Sequence, residues 1–285
     1  MTTLGRFIAI LRDAIGHFVE DDGAAIASHV ALSILMALFP FMIFLTALAG
    51  FFGTEELSAQ VTELLFDAWP EVVAAPIARQ VEIVLLSPRG DILTFGAMVA
   101  LFLASNGVEA FRVALNRAYR VSETRNFLIL RLQSFVFVLL GALGLLSLAF
   151  LIVLGPILWH TVVDAVPPLE GFQKHFVFAR FGIGISVLFV ALVLAHFWLP
   201  AGRRRLISVL PGIGLTLCLW MAGGLGFSAY LQNFASYTAT YAGLASVMIA
   251  IVFLYLASVA FILGAEVNAS IMNVETETDK AATPR

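Results

Sequence analysis

Six stretches of this chain, near residues 29–52, 91–111, 132–158, 178–200, 207–231 and 243–268, are apolar over lengths that can cross a bilayer. A helix needs about 20 such residues to span the hydrocarbon core. Lipid offers no partner to an open backbone group, so the spans are helices. A barrel is excluded, because the runs are too long and lack two-residue alternation. The expected fold is therefore all-α, a polytopic membrane protein with six transmembrane helices. Composition agrees: 12% of residues are charged and 61% hydrophobic, whereas soluble domains carry roughly 25% charge. The single cysteine, Cys218, rules out an intrachain disulfide.

Three further regions complete the organisation. Residues 1–22 are not a signal peptide, since Arg12, Asp13, His17 and Glu20 interrupt any apolar core. Instead Leu4, Phe7, Ile8, Leu11, Ile15 and Phe18 fall on one helical face, with Arg6, Asp13, His17 and Glu20 opposite. Such a helix either lies in the membrane surface or packs on the protein itself. Between the first two spans, residues 53–90 carry two amphipathic patterns, ended by Pro70 and Pro88, and are expected to form a helical outer cap. The six-span domain covers 23–271, and the polar tail at 272–285 is expected to be disordered.

The basic residues set orientation. Arg6 and Arg12, then Arg112, Arg117, Arg120, Arg125 and Arg131, then Arg203, Arg204 and Arg205, then Lys280 and Arg285 fall on one side of a six-span chain. The other side receives Arg79, Arg89, Lys174 and Arg180. The positive-inside bias places both termini in the cytoplasm.

Against this apolar background the block "ASNGVEAFRVALNRAYRVSETRNF", Ala104 to Phe127, stands out. Read as helix, Asn106, Glu109, Arg112, Asn116, Arg120 and Glu123 share an arc of about 120°. The stripe starts inside the second span and climbs out of it. An intramembrane carboxylate is costly unless paired or wet, and Arg112 lies three residues from Glu109. Two readings follow: a knot tying the second span to its neighbours, or the inner end of a polar cavity where arginines meet an anionic head group. Glu266, on the same face of the sixth span as Tyr255, Ser258 and Asn273, is a second intramembrane acid. It either shares a site with Glu109 or snorkels to the interface. Pro40 interrupts the first span and bends or opens it. His29 and Ser33 lie one turn apart in that span. Gly212, Gly223, Gly224 and Gly226 in the fifth span permit close helix contact, with Ala222 and Gly226 a small-xxx-small pair. Tyr230, Phe234, Tyr237 and Tyr241 form either an aromatic belt or the wall of an outer vestibule.

No metal or cofactor site is expected. The histidines, His17, His29, His160, His175 and His196, are scattered, and no H-x-H-x-D run occurs. No GXXXXGK loop is present, so no ATP hydrolysis is expected. Short basic loops do not offer the exposed aromatic and basic surface that nucleic acid requires.

The stretches "LFPFMIFL", "ALNRAYRV" with "ETRNF", "FASYTATYAGLA" and "LYLASVAFILGAEVNA" resemble the YihY/BrkB family of bacterial inner-membrane proteins, in that family's order, from about Gly23 to Ile271. His29 and Val30 stand where the family favours aromatic residues, Ala242 where it has a glycine, and Phe253 where it has a tryptophan. The resemblance implies six spans with cytoplasmic termini. Members of that family have carried a tRNA-processing ribonuclease label, and are also described as virulence or serum-resistance factors and as envelope-lipid transporters. A nuclease would need a ligand cluster that the sequence does not supply. The residues fit instead a non-enzymatic handler or transporter of an anionic amphiphile, with membrane lipids as partners and no nucleic acid. A structural or assembly factor of the envelope is the alternative. The candidate site is Asn106, Glu109, Arg112, Asn116, Arg120 and Glu266, with Pro40 as a kink.

Overall fold

A computed structural model describes residues 3–52, 91–233 and 242–282. Its helices are α1 (Thr3–Glu20), α2 (Gly23–Phe52), α3 (Asp91–Ala118), α4 (Phe127–Ala165), α5 (Gln173–Trp198), α6 (Leu206–Asn233) and α7 (Ala242–Ala282), with a 3₁₀ turn at Pro167–Phe172. No strand occurs among the described residues. Six helices are long and apolar enough to cross a membrane: Gly23–Leu48, Phe95–Ala118, Phe127–Leu148, Gln173–Trp198, Leu206–Ala229 and Val247–Val274. The six-helix membrane architecture is thus present. The expected outer cap at 53–90, and Phe234, Tyr237 and Tyr241, lie outside the described residues. Helix α7 continues to Ala282. No glycine or proline interrupts Asn273–Ala282, and the next proline is Pro284, so nothing in the local chemistry stops the helix earlier.

The chain divides into two compact units. One comprises Met1–Ala37, Asn106–Ser134 and Phe189–Arg285. At its centre is α7, whose stretch from Ser258 to Ser270 is almost entirely buried. There α6 and α7 approach through glycines: a Cβ on Gly212 would strike the Gly264 carbonyl oxygen, and one on Gly264 would strike Thr216 Oγ1. With no side chain between them the backbones pack directly. Gly223, Gly224 and Gly226, expected to share this role, have open space where a side chain would go, and Ala222 is exposed. Thr216 Oγ1 donates to Gly212 O at 2.9 Å and Ala260 O at 3.3 Å, and Trp220 Nε1 to Ala257 O at 2.9 Å. Helix α1 joins α2 through a tight turn in which Asp22 takes a left-handed φ of 54°. His29 is exposed.

The other unit comprises Leu38–Ser105 and Phe135–Leu188. Here α4 and α5 pack through small residues, Gly144 against Val187 and Gly184 against Leu148, and Trp159 stacks on Phe176 at 4.6 Å. Pro40 lies within α2, which continues on both sides of it.

Candidate functional site

The polar residues of the first unit gather where α3 ends and α4 begins. Arg112 is 3% exposed and both its terminal nitrogens are engaged. Nη1 donates to Leu130 O and Ser134 Oγ, both at 3.2 Å, and Nη2 meets Glu109 Oε1 at 2.9 Å. Arg131 enters from α4, donating to Asn106 Oδ1 at 3.1 Å and lying 3.7 Å from Glu109 Oε2. Glu109, with 40% of its side chain exposed, is thus shared by two arginines. Asn116 bridges two loops: Nδ2 donates to Glu123 Oε2 at 3.0 Å, and Oδ1 accepts from Ala201 N at 2.7 Å.

The polar stripe does not run on as helix to Glu123. Helix α3 stops at Ala118. Arg120 takes a φ of 56°, its amide donates to Arg117 O, and Val121 N donates to Asn116 O, both at 2.9 Å. This pair of bonds is a Schellman ending, whose left-handed position is normally glycine. An arginine there carries backbone strain. Glu123 therefore sits in the following loop, where Arg125 grips it in a fork at 2.8 and 2.7 Å. Those bonds hold its carboxyl down at about 2, well below the usual range. Arg125 also donates to Leu199 O at 2.8 Å and Gln133 Oε1 at 3.3 Å, while Gln133 donates to Trp198 O. These bonds fasten Arg125 and Gln133 to Trp198 and Leu199.

The strained backbone aims the Arg120 side chain at two carboxylates. Nη2 donates to Asp13 Oδ2 on α1 at 3.1 Å and lies 3.6 Å from Glu266 Oε2 on α7. Ser270 Oγ donates to the same Asp13 oxygen at 2.6 Å. Burial opposes ionisation of Asp13, but the bonds from Ser270 and Arg120 prevail and its carboxyl lies below the usual range. Glu266 is 1% exposed, and its Oε2 has no hydrogen-bond partner. One cation thus faces two acids, of which the buried one is the less well satisfied.

Beside this cluster lies a closed chain of bonds. Pro211 interrupts the start of α6, and the next amide, Gly212 N, donates to Asn268 Oδ1 at 2.7 Å. Asn268 Nδ2 donates to Val209 O at 2.9 Å and to Tyr119 Oη at 3.2 Å. The amide orientation is fixed, since Gly212 N can only donate and Val209 O only accept. The Tyr119 hydroxyl must then give its proton to His196 Nδ1, 2.8 Å away, which places the imidazole proton on Nε2. That atom has no hydrogen-bond partner, and the Phe261 ring lies 4.8 Å from the imidazole. Burial pushes the Tyr119 phenol up to about 12, so it stays a neutral donor. The Arg204 guanidinium caps its ring at 4.1 Å.

Of the sequence candidates, Asn106, Glu109 and Arg112 fall into one ion-paired group with Arg131, and Asn116 bonds instead to Glu123, which Arg125 holds. Arg120 and Glu266 fall into another with Asp13 and Ser270. Glu109 and Glu266 therefore pair with different arginines. Asp13, expected opposite the apolar face of α1, bonds to Ser270 and Arg120. Sequence reasoning gave no site role to Asn268, Tyr119, His196 and Ser270, although Asn268, Ser270 and His196 are polar residues in apolar helices. Among the described residues no group of three or more His, Cys, Asp or Glu could hold a metal ion.

The comparison with known proteins is decided by a family model described as "Virulence factor BrkB", which matches residues 14–285. The chain belongs to the BrkB family. Relatives within reach include YfkH of Bacillus subtilis (strain 168), ribonuclease-like by name, 28% identical over 263 residues that cover 92% of this chain and 94% of that one. A UPF0761 membrane protein of Pseudoalteromonas translucida (strain TAC 125) is 26% identical over 262 residues, covering 90% and 84%. A UPF0761 membrane protein of Pseudoalteromonas atlantica (strain T6c / ATCC BAA-1087) is 28% identical over 269 residues, covering 90% and 83%. No solved structure matches this chain. It is thus a membrane protein of the BrkB/UPF0761 family.

Proposed function

We propose that this BrkB-family member is a non-enzymatic protein of the bacterial inner membrane, both termini in the cytoplasm, that transports or handles an anionic amphiphile of the envelope, with the head group competing for Arg120. The observation that carries this reading is Glu266, buried in a span with one oxygen lacking any hydrogen bond and Arg120 3.6 Å away. An intramembrane ionisable residue that is not consumed by structure marks a functional pathway by default. Arg120 is already divided between two carboxylates, so a phosphate can displace one of them and take the guanidinium fork. Arg112 is less suited to this exchange than sequence reasoning held, because buried structural partners occupy its nitrogens. Membrane lipids are the partners in this reading; nucleic acid and ribonuclease chemistry have no part in it.

The test is lipid binding by purified protein in liposomes, comparing an anionic phospholipid or a polyprenyl phosphate with zwitterionic lipid. Anionic lipid should bind preferentially. Arg120→Gln should cost the ~1.5–3 kcal/mol of a charge-assisted bond, about tenfold or more in preference. Arg112→Gln should lower stability instead. Equal binding of both lipid classes, unchanged by Arg120→Gln, would sink the proposal. It would leave the assembly-factor reading, which the closed Tyr119–His196–Asn268 chain favours as a rigid fastening. Orientation is tested separately: reporters fused after Arg125 and Arg205 should be cytoplasmic, and those at Glu71 and Ser236 external.

A further inference from the structure

The roll of α1 is set by polar bonds rather than by its apolar face. Asp13 is held by Ser270 and Arg120, and Ala14 beside it is buried. At about 100° per residue this turns Ile8, Ile15 and Val19 away from the protein. Ile8, Ile15 and Val19 are accordingly 56–69% exposed, and Phe7, near the start of the helix, is 59% exposed. Arg12 falls in the same outward arc, and both Arg6 and Arg12 are exposed. Among the described residues neither makes an ion pair. A helix free to choose its roll would bury those four apolar side chains against its own protein.

Only the turn at Asp21 and Asp22 separates α1 from α2, whose candidate membrane span starts at Gly23. The C-terminal end of α1 therefore sits at the membrane boundary, at the arginine-rich end of the spans. Exposed apolar residues also start two other helices: Phe127, Leu128 and Ile129 on α4, and Leu206 and Ile207 on α6. Arg203 and Arg205 are exposed just before α6. Apolar side chains flanked by free arginines match a surface of acyl chains beneath anionic phosphates.

We propose that α1 docks on the anionic membrane surface at the arginine-rich end of the spans, sinking Phe7, Ile8, Ile15 and Val19 into the interface with Arg12 on lipid phosphates, while Asp13 clamps its opposite edge to Ser270 and Arg120. The clamp makes this a fixed strap rather than a free anchor. Its position on the membrane does not depend on whether the Arg120–Glu266 cluster binds a head group.

Cys218 is the chain's one cysteine, so Cys218→Ser, or Cys218→Ala should the serine variant elute aggregated, gives a background for single labels on the full chain. A polarity-sensitive fluorophore is placed on Ile8→Cys, Ile15→Cys and Glu20→Cys in turn. The protein is reconstituted in nanodiscs of phosphatidylcholine with or without phosphatidylglycerol. Labels at positions 8 and 15 should emit at shorter wavelength, be quenched by spin-labelled lipid and resist aqueous iodide; the label at 20 should behave oppositely. Anionic spin-labelled lipid should quench the position-15 label more than zwitterionic lipid does. Arg12→Gln should reduce that preference about fivefold, the factor expected per basic residue near an anionic surface. Iodide access at positions 8 and 15 equal to that at 20 would put the face in water and overturn the proposal. Protection from iodide without lipid quenching, together with energy transfer between copies, would overturn it in favour of a second copy on the same face.

Discussion

Asn268→Ala offers a direct measure of how firmly α6 and α7 are fastened. The asparagine is fully buried and makes three hydrogen bonds, from Gly212 N and to Val209 O and Tyr119 Oη, at 2.7, 2.9 and 3.2 Å. Side-chain bonds between membrane helices average about 0.6 kcal/mol and reach about 1.7. Three of them give about 2 kcal/mol. The Gly212 amide also loses the acceptor that Asn268 gave it, which can raise the loss toward ~3–4 kcal/mol, because an unsatisfied buried donor costs about 1–3 kcal/mol. Asn268→Asp should be at least as damaging, since it keeps the acceptor for Gly212 but sets a second oxygen against Val209 O. The assay is reversible unfolding in mixed micelles followed by tryptophan fluorescence. Trp220 bonds from α6 to Ala257 O on α7 and so reports on the joint. Asn273→Ala is the control: same helix and residue type, but exposed, with an expected change within about 0.5 kcal/mol. If Asn268→Ala proved no worse than Asn273→Ala, the bonds would be incidental to stability.

Two further outcomes follow from the ion pairs. Arg112→Ala should cost more than Glu109→Ala, because Arg112 is buried and also holds Leu130 O and Ser134, while Glu109 is half-exposed; the double mutant should lose less than the sum, and strict additivity in unfolding measurements would refute the coupling. Glu123 has its folded-state carboxyl depressed to about 2 from 4.5, so its contribution is complete above the unfolded value and disappears as pH falls from about 4.5 through about 2; screening at this rim position limits it to the order of 1 kcal/mol, and an acid unfolding curve that Glu123→Gln leaves unmoved would refute it.

The six spans were legible because each apolar run exceeds what any soluble helix needs, and lipid permits nothing but helix for such runs. Their ends were less so. The third span was expected from residue 132, after the charge of Arg131, yet α4 begins at Phe127; Arg131 fits inside it because Asn106 and Glu109 receive its guanidinium. The fifth helix likewise starts at Gln173 rather than 178, with Arg180 lying over the Phe181 ring at 5.3 Å. The α3 stripe could be read from periodicity, but not its end, since nothing in "NRAYRV" announces a left-handed residue where glycine is usual. Asn268 escaped notice because it lies about 200° around the helix from Glu266, off the face being traced. Tyr119 carried no reading in the sequence and His196 was one of the scattered histidines; only the fold brings them within 2.8 Å. The glycines of α6 were alike in sequence, and only Gly212 has a backbone facing it.

Arg120→Gly separates the two functional readings. Glycine takes a positive φ freely, so the change removes the backbone strain of roughly 1–2 kcal/mol that a left-handed arginine carries. Part of that gain is lost to the greater freedom of glycine in the unfolded chain. Against it stands the loss of two ion pairs. The Asp13 pair is partly exposed on both sides and is worth about 0–1 kcal/mol. Glu266 is different: only 2% of its side chain is exposed, and removing a buried partner costs about 3–5 kcal/mol when the remaining charge is left uncompensated. If Arg120 serves as the structural counter-ion of Glu266, the glycine variant should unfold several kcal/mol more easily, and the strained arginine needs no further purpose. If the variant is as stable as the parent within about 1 kcal/mol but loses its preference for anionic lipid, the arginine is kept at a glycine position for the ligand it holds. Stability and lipid preference both unchanged would remove Arg120 from either role.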